Sequence, residues 1–187
     1  MSDPISALQG RSTAGEVTIR EAGLCGMITL RGELSNAKLR AVCKKITGQA
    51  FPEKAKIALG EDRGIAWMSP DEVLVMLPYA EVTDALAQID SALAGQHYLA
   101  ENVSDARALI HVEGGFAREI LAKLTPADLH PATFGTGDFR RSHLGQVAAA
   151  FWMVDADTFA VVCFRSVADY VHDLLVASAK AGPVGVF

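Results

Sequence analysis

The chain has 187 residues, half of them hydrophobic and 21% charged, with a formal net charge of -5 and an isoelectric point near 5.5. That balance excludes the basic footprint of a nucleic-acid binder, because the densest basic spots are only Lys44-Lys45 and Arg140-Arg141, and no apolar run approaches the roughly 18 residues of a membrane span. Three widely spaced cysteines, Cys25, Cys43 and Cys163, make neither a disulfide framework nor a zinc knuckle, and the opening "MSDPISALQGRSTAGE" has neither a basic leader nor an apolar stretch, so the expectation is a soluble cytoplasmic protein with reduced, buried thiols.

In chain order, the first ten to fifteen residues lack apolar periodicity and read as a loose arm, with structure beginning near Val17. "EVTIREAG" and "GMITLRGE" are β-prone runs split by turn chemistry around Gly23: two strands, or one interrupted by a bulge. Ser35 is placed to cap a helix in which Leu39, Val42, Cys43 and Ile46 recur at i, i+3, i+4, i+7, and which Gly48 ends. "KAKIALG", "GIAWMSP" and "DEVLVMLP" read as strands, the last two joined in a hairpin through Ser69-Pro70-Asp71-Glu72. A second helix over residues 80–93 lines up Val82, Leu86, Ile89 and Leu93 and stops at Gly95.

From His97 the order of elements starts again. "HYLAENVS" and "ARALIHVEGG" read as strands, and "FAREILAKL" as a helix with Phe116, Ile120, Leu121 and Leu124 on one face. Further on, Trp152 opens a hairpin as Trp67 does, with Asp157 in its turn as Asp71 is in the first, and a helix follows each. A βαββα unit leaves its sheet half covered, and a duplicated unit supplies the cover. The fold class is therefore α+β: a single domain, 1–187, built from two similar βαββα, ferredoxin-like halves packed together, about 16–101 and 102–187. In this reading Trp67 and Trp152 are equivalent and largely buried; the alternative is a chance likeness between two Trp-containing hairpins.

Catalytic fingerprints are missing from the sequence: no GxxxxGK[ST], GxGxxG after a strand, HExxH, CxxC or GxSxG. In "FGTGDFRRSHLG", Arg140, Arg141 and His143 are suited to an anion, or else belong to a connector and the solvent face of a strand. In "TPADLHP", Asp128 and His130 have the spacing of a proton-transfer pair, or else form a rigid helix exit whose Asp128 serves local backbone donors. His111 sits within a strand, and His97 and His172 have no clustered ligands at metal spacing. No catalytic, cofactor-binding or metal residue is assigned.

Several stretches in order do carry a resemblance: Trp67, Pro70, Asp71 and Glu72 of the first hairpin; Val103, Ser104, Asp105 and Arg107 of "VSDAR"; Pro126, Asp128, Leu129, His130 and Pro131, with Phe134 and Gly137 after them; and Arg165, Ser166, Ala168 and Tyr170 of "RSVADY". Together, over residues 17–180, they resemble the gamma subunit of heterotetrameric sarcosine oxidase, with a departure at Val73, where members often carry a second aromatic. The resemblance implies a complex of alpha, beta, gamma and delta subunits that demethylates sarcosine to glycine, with hydrogen peroxide and 5,10-methylenetetrahydrofolate as products. FAD, FMN, NAD, zinc and tetrahydrofolate belong to the other subunits. The gamma chain is then a non-catalytic accessory subunit that looks like a folate-binding aminomethyltransferase domain. The alternative is a folate-binding or one-carbon-transfer domain acting alone, for which Asp105, Glu113 and Arg140 are the conceivable contacts.

A partner surface is sought among apolar residues outside periodic elements. "AGPVGVF" and "DLHPATFGTG" place Val184, Val186, Phe187, Leu129, Pro131 and Phe134, with His130 among them, on irregular segments. The competing expectation is that the tail folds back on its own domain.

Overall fold

The computed structural model describes residues 3–187. The chain divides into two compact units, one formed by Leu24–Ser104 and the other by the residues up to Gly23 together with Asp105–Phe187. Strands β1 (Ser12–Thr13) and β2 (Thr18–Glu21) come first in the chain and belong to the second of these.

The Leu24–Ser104 unit holds β3 (Gly26–Gly32), α1 (Ala37–Thr47), β4 (Ile57–Leu59), β5 (Gly64–Ser69), β6 (Glu72–Leu77), α2 (Val82–Ala92) and β7 (Tyr98–Asn102). Its strands lie in the order β4-β5-β6-β3-β7, antiparallel throughout. Without the short edge strand β4 this is the βαββαβ arrangement of a ferredoxin-like sheet. Helix α1 forms where its apolar spacing requires, but its N-cap is Asn36 rather than Ser35: Asn36 Oδ1 accepts from the N–H groups of Lys38 at 2.8 Å and Leu39 at 3.4 Å. The Ser35 hydroxyl donates to Glu33 instead. Gly48 closes the helix at φ 69°, a left-handed value that costs glycine little. Leu39, Val42, Ile46, Val82 and Ile89 pack on the sheet face made by Ile28, Leu30, Ile65, Val73 and Val75, each buried side chain stabilising by about 1.5–3 kcal/mol before the entropy of ordering it.

The second unit continues with β8 (Arg107–Glu113), α3 (Ala117–Ala122), β9 (Phe139–Leu144), β10 (Val147–Asp155), β11 (Thr158–Phe164) and α4 (Ala168–Lys180). Its order, β1-β2-β8-β11-β10-β9, repeats the first scheme with β8, β10, β11 and β2 in the places of β3, β5, β6 and β7. The two sequence repeats have therefore exchanged their opening strands: β2 pairs with β8, and β7 pairs with β3. The compact units differ from the halves drawn on the sequence by β2, which falls in the first half yet belongs to the second unit. A shared hydrogen bond marks the repeat, since Gly32 N–H donates to the Asp71 carbonyl and Gly114 N–H to the Asp157 carbonyl, both at 2.9 Å. At Gly114, φ is 140° and a Cβ would meet the Glu16 carbonyl at 2.5 Å, so no side chain fits there.

The two tryptophans are not equivalent. Trp67 pairs with Val73 before a bulge, whereas the residue in that place in the other hairpin is Met153, paired with Phe159. Trp152, one residue earlier, pairs with Ala160 and so points to the opposite face of its sheet, because a one-residue slip reverses every side chain. Trp152 is 2% exposed and stacks on Phe139 at 6.1 Å; Trp67 is half-buried.

Two further expectations are corrected. The N-terminal arm is ordered from within its first ten residues: Leu8 joins the core, and the buried Glu21 carboxylate accepts from the Ser6 hydroxyl and from the N–H groups of Leu8 and Gly10 at 2.7–2.8 Å. Met1 and Ser2 lie outside the described residues. Helix α3 is a short one, starting after Phe116, which is 42% exposed at the N-cap position and not on the buried face.

Candidate interaction surface

Helix α3 and its C-cap residue present two charged side chains to the end of α4 and the chain that follows it. Glu119, only 4% exposed, accepts at one carboxylate oxygen from the backbone N–H groups of Val184 at 2.6 Å and Gly185 at 2.7 Å. Burial opposes its ionisation, but N–H donors from Gly185, Val184, Phe187 and Val186 outweigh that and hold the carboxyl below the usual glutamate range. One turn on, Lys123 Nζ donates to the carbonyls of Ser178 at 2.6 Å and Gly182 at 2.7 Å. The Phe187 ring meets the His130 ring edge-on at 5.9 Å. The tail thus folds back on its own unit, as the competing expectation held, while Val184, Val186 and Phe187 remain 61%, 66% and 44% exposed.

The connector after α3 divides in a way its sequence did not announce. Arg118 donates to the carbonyls of Leu129 at 2.6 Å and Phe134 at 2.8 Å, so this irregular backbone is satisfied away from water and its side chains can turn inward. Leu129 and Phe134 are buried in the core, where Phe134 stacks on Phe159 at 5.9 Å and 9°. Their expected place on the surface is therefore corrected: neither is available to a partner. His130 and Pro131 are exposed and, with the tail, are what remains of the surface expected from the sequence. Glu119 and Arg118 were missed by sequence reasoning, because in "FAREILAKL" both occupy positions that periodicity assigns to solvent.

The polar pairs singled out in the sequence serve local structure. Asp128 accepts from the His130 backbone N–H at 2.9 Å and the Thr133 hydroxyl at 2.9 Å, which hold its carboxyl below the ordinary aspartate range, while His130 Nδ1 faces the Ala132 N–H. His111 Nδ1 lies 2.9 Å from Arg20 Nη2; burial first, then the Arg20 charge, push this histidine down. The three conceivable folate contacts do not converge. Asp105 precedes β8 and Glu113 ends it, roughly 20 Å apart at the rise of a strand. Arg140 lies on β9, three places across the sheet from β8, and Glu113 is engaged by Arg20 at 2.6 Å. The cysteines are free, and burial pushes the thiols of Cys25, Cys43 and Cys163 up to about 11, 12 and 11; Cys25, however, is half-buried. Among the described residues no cluster of three or more His, Cys, Asp or Glu is placed to hold a metal ion, and no helix is long and apolar enough to cross a membrane.

Two ferredoxin-like units built this way give an α+β fold shared with an aminomethyltransferase. Aminomethyltransferase T of the glycine cleavage system from Bartonella henselae superimposes with a TM-score of 0.58 over 86% of this chain and 45% of that one, at 13% identity, a likeness of fold. The chain belongs to the sarcosine oxidase, gamma subunit family, whose model matches residues 31–181. Sarcosine oxidase subunit gamma from Corynebacterium sp. (strain U-96) is 29% identical over 184 residues, covering 94% of this chain and 86% of the relative. That from Corynebacterium sp. (strain P-1) is 26% identical over 177 residues, covering 93% and 86%. A chain of the heterotetrameric sarcosine oxidase from Corynebacterium sp. U-96, in complex with pyrrole 2-carboxylate, superimposes with a TM-score of 0.79 at 25% identity, covering 94% of this chain and 91% of that one.

Proposed function

We propose that this chain is a non-catalytic accessory subunit of a cytoplasmic heterotetrameric sarcosine oxidase, assembling with alpha, beta and delta subunits. Those partners carry FAD, FMN, NAD, zinc and tetrahydrofolate and convert sarcosine to glycine with peroxide and 5,10-methylenetetrahydrofolate as products. The observation that carries the reading is the match, over nearly the whole length of both chains, to a chain from a heterotetrameric sarcosine oxidase. The engagement of Glu119, Arg118, Glu21 and Asp128 with the chain's own backbone supports it, because these side chains are occupied in shaping surface. In the test, the chain is purified alone and after co-expression with the three other subunits, and sarcosine-dependent peroxide is measured. Only the co-expressed assembly should produce peroxide and a flavin spectrum. Peroxide or bound flavin from the isolated chain would overturn the proposal.

A further inference from the structure

The internal repeat allows the helix surfaces of the two units to be compared position by position. The inward-facing residues Leu39, Val42, Cys43 and Ile46 of the first unit match Ala117, Ile120, Leu121 and Leu124 of the second. On that alignment Glu119 falls at the position of Ala41 and Lys123 at the position of Lys45. In the second unit Lys123 holds the carbonyls of Ser178 and Gly182 at the end of α4, and Glu119 holds the N–H groups of Val184 and Gly185 in the irregular chain that follows, so the two side chains seat residues 182–185 against the helices. In the first unit no such segment is present: the chain leaves α2 and enters β7. What remains there is an open groove between α1 and α2 of about 590 Å³, lined by Lys38, Ala41, Val42, Lys45, Ala87 and Ala92 among others.

We propose that the α1–α2 groove is the docking site for an irregular, acid-bearing segment of a partner subunit, which takes in the first unit the place that the chain's own tail takes in the second. The small side chains of Ala41, Ala87 and Ala92 let an incoming backbone approach the helices closely. Lys45 is placed to donate to the incoming carbonyls as Lys123 does. Charge selects the occupant: Lys38 and Lys45 flank the groove, no carboxylate lines it, and neither lysine has an ion-pair partner among the described residues. A second copy of this chain, with its net charge of -5, is a weaker match than a dedicated acidic segment. The proposal rests on the subunit reading above and deepens it by locating a contact.

The test uses the co-expressed complex. Lys38→Glu/Lys45→Glu reverses the rim, Ala41→Trp/Ala87→Trp fills the trough, and Lys54→Glu/Lys180→Glu makes the same net charge change at exposed lysines elsewhere. Both groove variants should retain the wild-type melting temperature when isolated, since all four positions are exposed, and should lower recovery of the partner subunits on capture by about tenfold or more. Recovery of the wild type should fall with rising salt, and the control pair should behave as wild type. Wild-type recovery from both groove variants would overturn the docking site while leaving the subunit reading intact. A wild type that captures no partners would overturn the subunit reading and the docking site with it. An isolated wild type that dimerises in light scattering, and becomes monomeric on groove filling, would replace the partner segment with a second copy and refute the proposal.

Discussion

Truncating Phe134 to alanine separates the two roles an apolar residue on an irregular connector can have. The ring is fully buried, lies over Phe159 at 5.9 Å and near Phe151 at 6.1 Å, and has the Arg140 guanidinium 5.2 Å from its centroid. Removing a buried phenyl group costs about 3–5 kcal/mol in transfer and cavity terms. In a chain of this size each kcal/mol moves the midpoint by about 2–4 °C, so the melting temperature should drop by roughly 6–20 °C. Phe187→Ala, at a side chain 44% exposed, should stay within about 0.5 kcal/mol, or about 2 °C. Differential scanning calorimetry of the two isolated variants beside wild type is the assay. A Phe134→Ala protein that melts like wild type yet fails to assemble would refute the core assignment and return Phe134 to the interface.

The Glu119 latch should respond to pH. Its folded carboxyl sits below the ordinary range, so the stabilisation is fully present above the unfolded glutamate value and is lost as pH falls through the folded one. Protection of the Val184 and Gly185 amides, taken as the free-peptide exchange rate over the observed rate at the same pH, should be present near neutral pH and lost in acid, and Glu119→Gln should lower it near neutral pH; protection that ignores the substitution there would rule the latch out. The tryptophans should differ under acrylamide: a Trp152→Phe protein, reporting half-buried Trp67, should quench more readily than a Trp67→Phe protein reporting Trp152. Equal quenching would contradict the register that puts Met153 in the place of Trp67.

Local features of this fold were legible in the sequence and distant ones were not. Helix α1 follows from four apolar residues at helical spacing and a glycine stop, and β5–β6 and β10–β11 follow from apolar runs on either side of a turn. The exchange of β2 and β7 could not be read, because β2 is followed in sequence by β3 yet bonds to β8, and nothing in "TIRE" names a partner so far away. The tryptophans misled for a related reason. Two large identical residues attract an alignment, but pairing is counted from the turn and the bulge, and that count moves Trp152 by one place. At the surface, Leu129 and Phe134 looked free because loops usually lack partners for their carbonyls. Arg118 supplies those partners, and an arginine written on the outward positions of a short helix gives no sign of that role. The tail was half legible: its exposed valines were anticipated, while the buried carboxylate that holds its backbone was not.

Native mass spectrometry of the intact assembly tests the central claim most directly. With this chain tagged and co-expressed beside the three other oxidase subunits, the account predicts one dominant species containing one copy of this chain and one of each partner. A spectrum with the three partners assembled without it, or with this chain only in copies of itself, would contradict the account.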